Sequence, residues 1–407
     1  MCIRDSLYKD SELLNDAQVN LQEAININPD SAEAHNNLGS VLKDLKFFDE
    51  SVNSFNVAIS LKHDFPAAHN NLGTVLSEDL NRHEDAIKSF DRAIKIMPDF
   101  ASAHLNLGHT LCKIGQFEDA IRCYMKVMNI EPSFDYILGN LLGTKMNCSN
   151  WDELNNLLVD VKSQIDEGKK VIDPFSLFGL IDDPVLQRST TQIRVSNNFP
   201  RNTSLPIINP YPRRSKIRIG YFSADFKIHP VTTLTAELYE VHNRERFEIH
   251  AFSYGPDTND EMNLRIKAGV DHFHNVEAMS HKDIVLLARS LEIDIAVDLG
   301  GLTEEARTDI FAMSAAPIQL SYIGFLGTMA ADYYDYLIAD PVMIPEESQQ
   351  HYAEKIVYLP SFQVNDSKDL PPDITLTRQD VGLPESGFVF CCFNNTYKFT
   401  PAIFDSW

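Results

Sequence analysis

A sequence pattern of 34 or 35 residues, typical of a helical hairpin, occurs three times between Ala32 and Phe134. The copies share a Leu-Gly pair on the first helix, then an aromatic residue and a small apolar residue on the second. These positions are Leu38-Gly39, Leu72-Gly73 and Leu107-Gly108, then Phe55, Phe90 and Tyr124, then Ala58, Ala93 and Val127. Self-similarity at such a period marks a stack in which each unit buries its apolar face against its neighbours. The sequence therefore predicts an α-solenoid over residues 1–134.

The details of the repeats are those of tetratricopeptide repeats. Small residues stand where two helices must approach closely, and prolines follow the second helix of two units. The small residues are Ser51, Ala86 and Ala120, and the prolines are Pro98 and Pro132. The one extra residue of the longer copy falls between Glu78 and Glu84, which we expect at the tip of the hairpin. An incomplete earlier copy and a drifted later copy, which begins near Tyr136, flank the three clear ones.

Two polar residues recur on the first helix of each repeat. The asparagines that precede the repeat leucine are Asn37, Asn71 and Asn106. Because an amide donates and accepts at once, a ladder of amides on the concave face can bind a peptide backbone. The alternative is a row of solvated helix positions. The recurring histidines are His35, His69 and His104. They lie a whole repeat apart, too far to share a metal ion, and are interpreted as surface residues of the repeats.

Composition restricts the partners and the compartment. The formal charge of −23 disfavours nucleic acid and anionic membrane surfaces as partners. Six cysteines show neither a paired framework nor C-x-x-C spacing, which favours a reducing compartment. No run approaches the roughly 20 apolar residues of a membrane helix, and the opening residues lack the features of a signal peptide. We expect a cytoplasmic protein, or a nuclear one if the cell has a nucleus.

Strands alternate with helices after a helical connector and a proline-rich linker at residues 135–215. The strands are predicted at Lys216–Ser223, Phe247–Tyr254, Ile293–Leu299, Pro317–Ile323 and Tyr336–Ala339. This alternation predicts a parallel sheet covered by helices, with a domain boundary in the linker. Ligands of such folds bind at the carboxyl ends of the strands. Those ends carry His229, Gly300-Gly301 and the segment Gly324–Thr328.

The last segment predicts a further βα unit. Phe388–Phe393 is expected to be a buried strand, followed by a loop and a helix capped by Thr400-Pro401. A loop that brings Lys398 to a helix N-terminus can receive a phosphate. The alternative is a solvated charge on a βα turn. Neither a G-x-G-x-x-G nor a G-x-x-x-x-G-K-[ST] motif is present, so a dehydrogenase or an ATPase is disfavoured.

The motifs, taken in order, are similar to those of a known enzyme family. Tetratricopeptide repeats followed by IGYFSADFKIHPV, DHFHN, DLGGLT, APIQLSYIGFLGT, DYLIAD and FVFCCFNNTYKFTP resemble the O-linked N-acetylglucosamine transferases and their SPINDLY-like relatives. The resemblance covers the chain from residue 32 to its end. It implies the GT-B arrangement of two Rossmann-like lobes, with residues 216–378 as the first lobe and residues 379–407 as the start of the second.

The resemblance also implies a reaction. Members transfer N-acetylglucosamine from UDP-GlcNAc to serine or threonine hydroxyls of proteins, with inversion and with neither a metal ion nor a cofactor. The repeats of this chain would then bind protein substrates. A relative that uses GDP-fucose, and a non-catalytic tetratricopeptide scaffold with a vestigial α/β region, stay open as alternatives.

Site residues follow from the same motifs. His229 matches the family's active-site histidine, and His272 matches a second histidine proposed as the base. Lys398 matches the lysine that neutralises the departing diphosphate, and Asn395 in the same motif is a donor-binding candidate. The loop that shapes the sugar pocket is matched by Gly324, Gly327 and Thr328. The chemistry agrees, because histidine titrates near neutrality and a cation stabilises a leaving phosphate.

The chain also departs from the family's pattern. GFLGT replaces the more usual Gly-Tyr-Pro-Gly-Thr, and Met329 stands where serine is common. His274 has no assigned role. The last residue, Trp407, lies in the predicted first helix of the second lobe. A lobe that ends after one βα unit cannot bury its sheet. The chain as written is therefore expected to be a fragment with little or no turnover and weak donor affinity.

Overall fold

The computed structural model describes residues 11–364, 366–368 and 376–406 and separates two compact units. One unit comprises Met1–Asp182 with Thr396–Trp407, and the other comprises Asp183–Asn395. The boundary predicted in the proline-rich linker is therefore displaced, because that segment is bonded to the second unit. The Tyr333 hydroxyl donates to the Phe199 carbonyl at 2.8 Å, and Arg289 donates to the Pro206 carbonyl at 2.7 Å.

Helical hairpins make up the first unit, as the period predicts. Its helices are α1 (Ser11–Ile27), α2 (Ala32–Asp44), α3 (Phe48–Leu61), α4 (Pro66–Thr74), α5 (His83–Ile96), α6 (Ala101–Lys113), α7 (Phe117–Ile130), α8 (Ile137–Asn147), α9 (Leu154–Asp166) and α10 (Pro174–Phe178). The pairs α2/α3, α4/α5 and α6/α7 are the three clear repeats. Helix α1 belongs to the incomplete earlier copy, and α8 begins the drifted later one.

A glycine against an aromatic ring fixes the helix pair of each repeat. The rings of Phe55, Phe90 and Tyr124 are at most 1% exposed. A Cβ atom added at Gly39, Gly73 or Gly108 would lie 2.7, 2.6 or 2.6 Å from the nearest ring carbon of its own repeat. The second helix approaches until its ring covers the Cα of the glycine. Close packing thus explains why the same glycine recurs in every clear copy.

The longer repeat accommodates its extra residue as a π-helical turn at Val75–Asp79, which continues α4. The Leu80 amide donates to the Val75 carbonyl at 3.1 Å, so the hydrogen-bonded ring is one residue wider than in an α-helix. The insertion therefore lies just before the hairpin tip. The tip itself is closed by one residue with positive φ in each copy. These residues are Lys46 (66°), Asn81 (54°) and Gly115 (75°).

Among the described residues, a seven-stranded parallel sheet forms the second unit. The strands are β1 (Ile217–Ser223), β2 (Phe247–Ser253), β3 (His272–Asn275), β4 (Ile295–Asp298), β5 (Ile318–Ser321), β6 (Tyr336–Ala339) and β7 (Lys355–Tyr358). The described helices are α11 (Pro184–Asn198), α12 (Pro230–Thr233), α13 (Ala236–Val241), α14 (Glu261–Gly269), α15 (His281–Ser290) and α16 (Asp309–Ala312), with a 3-10 helix at Glu346–His351. Five strands match predicted ones, and β3 and β7 were not predicted.

The strand order positions the ligand-binding crevice. The order is β3-β2-β1-β4-β5-β6-β7, so the direction of winding reverses between β1 and β4. In open α/β sheets the loops diverge at this reversal and leave a crevice at the carboxyl ends of the strands. The core behind the crevice includes Phe222 and Phe252, whose rings stack with centroids 4.4 Å apart. The predicted α/β sheet is thereby confirmed.

The prediction of a buried strand at Phe388–Phe393 is wrong. The described residues 376–395 contain no strand, and Phe388, Phe390 and Phe393 are 82%, 83% and 96% exposed. An apolar run becomes a strand only when a neighbouring strand satisfies its backbone N–H and C=O groups. None of the described residues supplies that neighbour here. The segment is followed by one 3-10 turn, Thr396–Lys398, and by the short helix α17 (Pro401–Asp405).

Helix α17 packs within the first unit. Thr396 donates its hydroxyl to the Asn147 carbonyl at 2.9 Å, and the Phe404 ring lies 5.5 Å from that of Trp151. The Thr400 side chain accepts from the Ile403 amide, so the predicted N-cap is confirmed. Across all the described residues, no helix is both long and apolar enough to cross a bilayer.

Replacing Gly73 by alanine tests the glycine–ring contact. We expect Gly73→Ala to lower the free energy of unfolding by about 1–3 kcal/mol, because the methyl group overlaps the Phe90 ring. The matched control is Gly143→Ala in α8, where an added Cβ meets no atom within 4 Å. There the gain in helix propensity should raise stability by up to about 1 kcal/mol.

Urea unfolding of the full chain, followed by helical circular dichroism, measures both variants. Equal effects of the two substitutions would show that the ring does not set the helix spacing.

Candidate functional site

Loops at the carboxyl ends of the strands pack with their backbones in contact. A Cβ atom at Gly255, after β2, would lie 1.9 Å from the Ala224 carbonyl oxygen, after β1. A Cβ atom at Gly324, after β5, would lie 1.9 Å from the Leu299 carbonyl oxygen, after β4. Only glycine permits these approaches. The two pairs of loops are thereby joined on either side of the winding reversal.

His229 stands at the start of α12, on the loop that follows β1. Its Nδ1 atom is 3.6 Å from Oδ2 of Asp225 and 3.3 Å from the Val231 amide nitrogen. The histidine side chain is 38% exposed, whereas that of Asp225 is 13% exposed. Burial raises the pKa of the Asp225 carboxyl, although His229 and Lys227 oppose part of that rise. The ring is thus tethered on its Nδ1 side and open to solvent elsewhere.

The two contacts of Nδ1 belong to different protonation states. When Nδ1 lacks a proton it accepts from the Val231 amide, and the neutral ring then carries its proton on Nε2. When Nδ1 carries the proton it faces the Asp225 carboxylate 3.6 Å away, and Nε2 is free to accept another proton. The second state is the one in which a histidine acts as a general base, with the carboxylate stabilising the resulting imidazolium. Sequence reasoning found His229 but missed Asp225, four residues before it.

A buried carboxylate organises the turn after β4. Oδ1 of Asp298 accepts from the amides of Gly300 at 2.9 Å and Gly301 at 3.0 Å, and Oδ2 accepts from the Tyr334 hydroxyl. Burial raises the pKa of Asp298, although these three donors counteract the effect. Gly301 has a φ of 62°, which glycine adopts without strain. The predicted Gly-Gly segment is therefore held by an aspartate whose role the sequence did not reveal.

Thr328 is buried and fully hydrogen-bonded. Its hydroxyl donates to Oε2 of Glu354 at 2.7 Å and accepts from the amides of Ala330 at 3.0 Å and Ala353 at 3.1 Å. Oε1 of Glu354 accepts from the Met329 amide at 2.6 Å. Thr328 therefore shapes the loop from inside, and its hydroxyl has no capacity left for a ligand. Burial raises the pKa of Glu354, although the hydrogen bonds it accepts oppose that shift.

The same loop stores backbone strain. Ile323, a β-branched residue, has a φ of 63°, in the left-handed region that such residues avoid. It directly precedes Gly324, at the point where the chain leaves β5. Strained residues of this kind persist when surrounding contacts over-determine them, and they cluster at ligand-binding sites. Gly327 is buried in the same loop. The predicted sugar-pocket loop is thus rigid, and Glu354, 26 residues beyond Thr328, is its missing anchor.

His272 does not join His229. It is the first residue of β3 and pairs in register with His250, which pairs with Gly220 of β1. Three residues separate this level from the carboxyl end of β1, about 10 Å along a strand. The His272 side chain is 51% exposed, and its Nε2 atom lies 3.3 Å from Oε1 of Glu248. This placement does not support a role for His272 as a second base in the crevice.

His274, which had no assigned role, lies two residues further along β3. Burial lowers its pKa to about 4, with added repulsion from the neighbouring His250 and His272. The ring stacks on Phe252 with centroids 4.8 Å apart. His274 is therefore a packed histidine of the sheet face.

Lys398 and Asn395 fall into different units. Asn395 closes the second unit, and Lys398 belongs to the first, at the end of the 3-10 turn. Both residues are exposed, and Lys398 Nζ lies 5.8 Å from the centre of the Tyr397 ring. Helix α17 has only five residues, so it offers a weaker dipole than the sequence suggested. The donor-binding roles of both residues stay predictions.

The asparagines of the repeats bond to one another across neighbouring repeats. Asn71 donates to Asn36 Oδ1 at 3.1 Å, and Asn106 donates to Asn70 Oδ1 at 3.0 Å. Asn37 accepts from Asn36 and is exposed. Asn71 still has a second N–H group, whereas Asn106 also donates to the Thr74 hydroxyl oxygen at 3.3 Å, which occupies both of its N–H groups. The peptide-binding role of the ladder stays a prediction, and the ladder also connects the stack.

The repeated histidines hold the turn before their own helix. Nε2 of His35, His69 and His104 lies 3.0, 3.4 and 2.9 Å from the carbonyl oxygen six residues earlier. The three histidines therefore occupy equivalent positions, and each contacts the turn before its own helix.

Comparison with known proteins finds a family profile that matches the α/β unit. Residues 208–375 match the profile described as Glycosyl transferase family 41. Profiles of tetratricopeptide repeats match residues 6–46, 79–115 and 101–134. The chain is 34% identical over 293 residues to the probable UDP-N-acetylglucosamine--peptide N-acetylglucosaminyltransferase SEC of Arabidopsis thaliana, which covers 66% of this chain and 30% of that protein. Against the SPINDLY protein of Oryza sativa subsp. japonica, identity is 28% over 215 residues, or 51% and 22% of the two chains.

A solved structure shows the same fold. A mutant of the O-GlcNAc transferase of Thermobaculum terrenum superposes with a TM-score of 0.58, at 21% identity, over 92% of this chain and 65% of that one. The chain spans less than a third of the length of the two curated relatives. Both the repeats and the sheet are thus accounted for by the matched profiles. Residues 208–375 thus match a glycosyltransferase domain of family 41, and tetratricopeptide repeats precede them.

Proposed function

We propose that this protein transfers N-acetylglucosamine from UDP-GlcNAc to serine and threonine hydroxyls of other proteins. The observation that carries the proposal is the His229–Asp225 pair, which stands beside the winding reversal of a family 41 domain. Relatives bearing the name UDP-N-acetylglucosamine--peptide N-acetylglucosaminyltransferase support the choice of donor and acceptor.

The proposed step is a single displacement at the anomeric carbon. The acceptor hydroxyl oxygen forms a bond to that carbon as the bond to the UDP oxygen breaks, which inverts the configuration. The hydroxyl proton passes to Nε2 of His229, while Nδ1–H faces the Asp225 carboxylate, 3.6 Å away. UDP leaves with the electron pair of the broken bond. The resulting imidazolium lies beside a largely buried carboxylate, which stabilises it more strongly than solvent would.

Charge on the departing diphosphate needs a separate partner. We assign that role to Lys398, in the FNNTYK motif, because it is an exposed cation. An ammonium group can neutralise a leaving phosphate without a metal ion, and metal independence is part of this proposal. Asn395 would assist as a donor-binding residue.

Protein substrates are assigned to the repeats. The concave asparagines are half-buried or exposed and keep part of their hydrogen-bonding capacity, as backbone recognition requires. Five described cysteines are free thiols, in keeping with the proposed cytoplasmic location. GDP-fucose stays the alternative donor, and a scaffold without activity is the alternative from another class.

Substitution of His229 tests the proposed base. With UDP-GlcNAc as donor, we expect His229→Ala in the full-length protein to lower kcat by about 10²- to 10⁴-fold. Asp225→Asn should cause a smaller loss of kcat, because only the tautomer and the imidazolium are affected. The KM for the donor should stay unchanged in both variants.

Transfer of radiolabelled sugar to a protein acceptor measures these constants, with His351→Gln as the control. Parallel reactions with GDP-fucose distinguish the two donors. Transfer from GDP-fucose alone would exclude the UDP-GlcNAc assignment, and transfer from neither donor would favour the scaffold.

Lys398 is tested in the same assay. Lys398→Ala should lower kcat by about 10²- to 10³-fold, because it removes one preorganised charge that stabilises the transition state. Lys282→Ala, an exposed lysine on α15, is the matched control. Equal activity of the two variants would exclude Lys398 from diphosphate stabilisation.

Glu354→Gln tests whether the anchored loop shapes the sugar pocket. The two lone pairs of the Thr328 hydroxyl are taken by backbone amides, so a side-chain NH₂ group at position 354 has no acceptor there. We expect a loss of about 1–3 kcal/mol in the free energy of unfolding. The KM for UDP-GlcNAc should rise as well.

Denaturant unfolding and donor titration measure the two effects, with the exposed Glu346→Gln as the control. A loss of stability without any change in KM would separate the loop from the sugar pocket.

A further inference from the structure

Two strands of the sheet place a carboxylate and three imidazoles on one face. Glu248 and His250 lie on β2, two residues apart and therefore on the same side of the strand. His272 lies opposite His250 on β3, and His274 follows two residues later. The rings of His250 and His272 are 4.6 Å apart, and those of His250 and His274 are 5.4 Å apart. We propose that Glu248, His250 and His272 bind a divalent transition-metal ion, with Zn²⁺ as the best fit.

The distances between the ligand atoms suit a tetrahedral ion. Zn²⁺ at about 2.05 Å from each ligand places neighbouring ligands about 3.3 Å apart. Oε1 of Glu248 is 3.1 Å from Nε2 of His250 and 3.3 Å from Nε2 of His272. All three ligand atoms lie within 4.8 Å of one another. Two of the three distances between ligand atoms therefore already suit the ion. Rotation of the half-exposed His272 ring brings the third distance, between His250 and His272, to the same value.

Contacts with His274 and Arg218 orient two of the ligands. Nδ1 of His250 lies 3.1 Å from Nε2 of His274, and Oε2 of Glu248 lies 3.4 Å from Nε of Arg218. Metal-binding histidines generally donate their other N–H group to a fixed acceptor, and metal-binding carboxylates are themselves hydrogen-bonded. With the ion on Nε2, His250 carries its proton on Nδ1 and donates it to His274. This gives His274 a role that packing alone does not.

Access and charge favour a cation. His250 is buried, Glu248 is partly buried and His272 is half exposed, so the cluster opens to solvent at one corner where water can complete the coordination. Counted with the ligand Glu248, three carboxylates (Glu248, Glu292 and Asp294) stand against two guanidinium groups (Arg214 and Arg218), and the balance of these charges is negative. Imidazole ligands select Zn²⁺ and similar ions over Mg²⁺ or Ca²⁺.

The site lies apart from the sugar-transfer crevice. His250 stands three residues before the end of β2, about 10 Å along the strand from the carboxyl edge. The ion would instead join the short edge strand β3 to β2. Its role is therefore structural, and metal-free sugar transfer is compatible with it.

Metal titration of the full chain tests the site. After removal of metal with a chelator, we expect one Zn²⁺ per chain by isothermal titration calorimetry and an increase in melting temperature on Zn²⁺ addition, because the ion binds the folded state. His272→Gln should weaken binding more than about 100-fold, and His274→Gln, which removes the partner of His250 Nδ1, about 10- to 100-fold. The control His351→Gln, in the same unit, should bind as the wild type does.

The outcomes separate a metal site from a hydrogen-bonded histidine cluster. Zn²⁺ affinity that is lost in His272→Gln and kept in His351→Gln supports the proposal. Equal affinities in the two variants, or no binding by the wild type, overturn it. Because His272 is half exposed, its replacement should leave the fold intact, which circular dichroism verifies. Visible absorption of the wild type with Co²⁺ provides a readout that needs no variant: intense tetrahedral bands support the site, and their absence overturns it.

Discussion

The reversal of winding between β1 and β4 is the constraint on which the functional part of the molecule depends. A parallel sheet sends its connections over one face or the other, and at a reversal two neighbouring loops must part. Here the loop after β1 carries His229 and the loop after β4 carries the turn held by Asp298. The crevice follows from topology. Its chemistry follows from the few side chains that these loops carry to its edge.

Buried carboxylates fix the loops around this crevice. Asp225, Asp298 and Glu354 each follow or precede a strand, each is largely buried, and burial raises the pKa of all three. A buried carboxylate without partners would be costly, but Asp298 and Glu354 accept hydrogen bonds from neighbouring backbone or hydroxyl groups. The loops are held in one arrangement before any ligand arrives. Preorganisation of this kind is what electrostatic catalysis requires.

Local patterns in the sequence predicted the solenoid and most of the sheet. Each repeat packs against its neighbour through the same residues, so the period alone specified the hairpins. Five strands were found because they are apolar runs. Strand β3 was missed because His272–Asn275 has no such run and is stabilised by rings on β2. Phe388–Phe393 was predicted as a strand in error, since an apolar run does not reveal whether a partner is present. Glu354 could not be found, because its partner Thr328 is 26 residues away in the chain.

The two ends of β2 show how one strand can serve unrelated purposes. At its carboxyl end, Gly255 lets the loop after β2 lie against the loop that leads from β1 to His229. Nearer its amino end, Glu248 and His250 face the edge strand, far from the crevice. Because successive residues advance about 3.3 Å, His250 lies about 10 Å along the strand from the carboxyl edge. The stacked rings of Phe252 and His274, 4.8 Å apart, pack on the same face of the sheet. An ion near the amino end would therefore stabilise the sheet edge without touching the sugar donor.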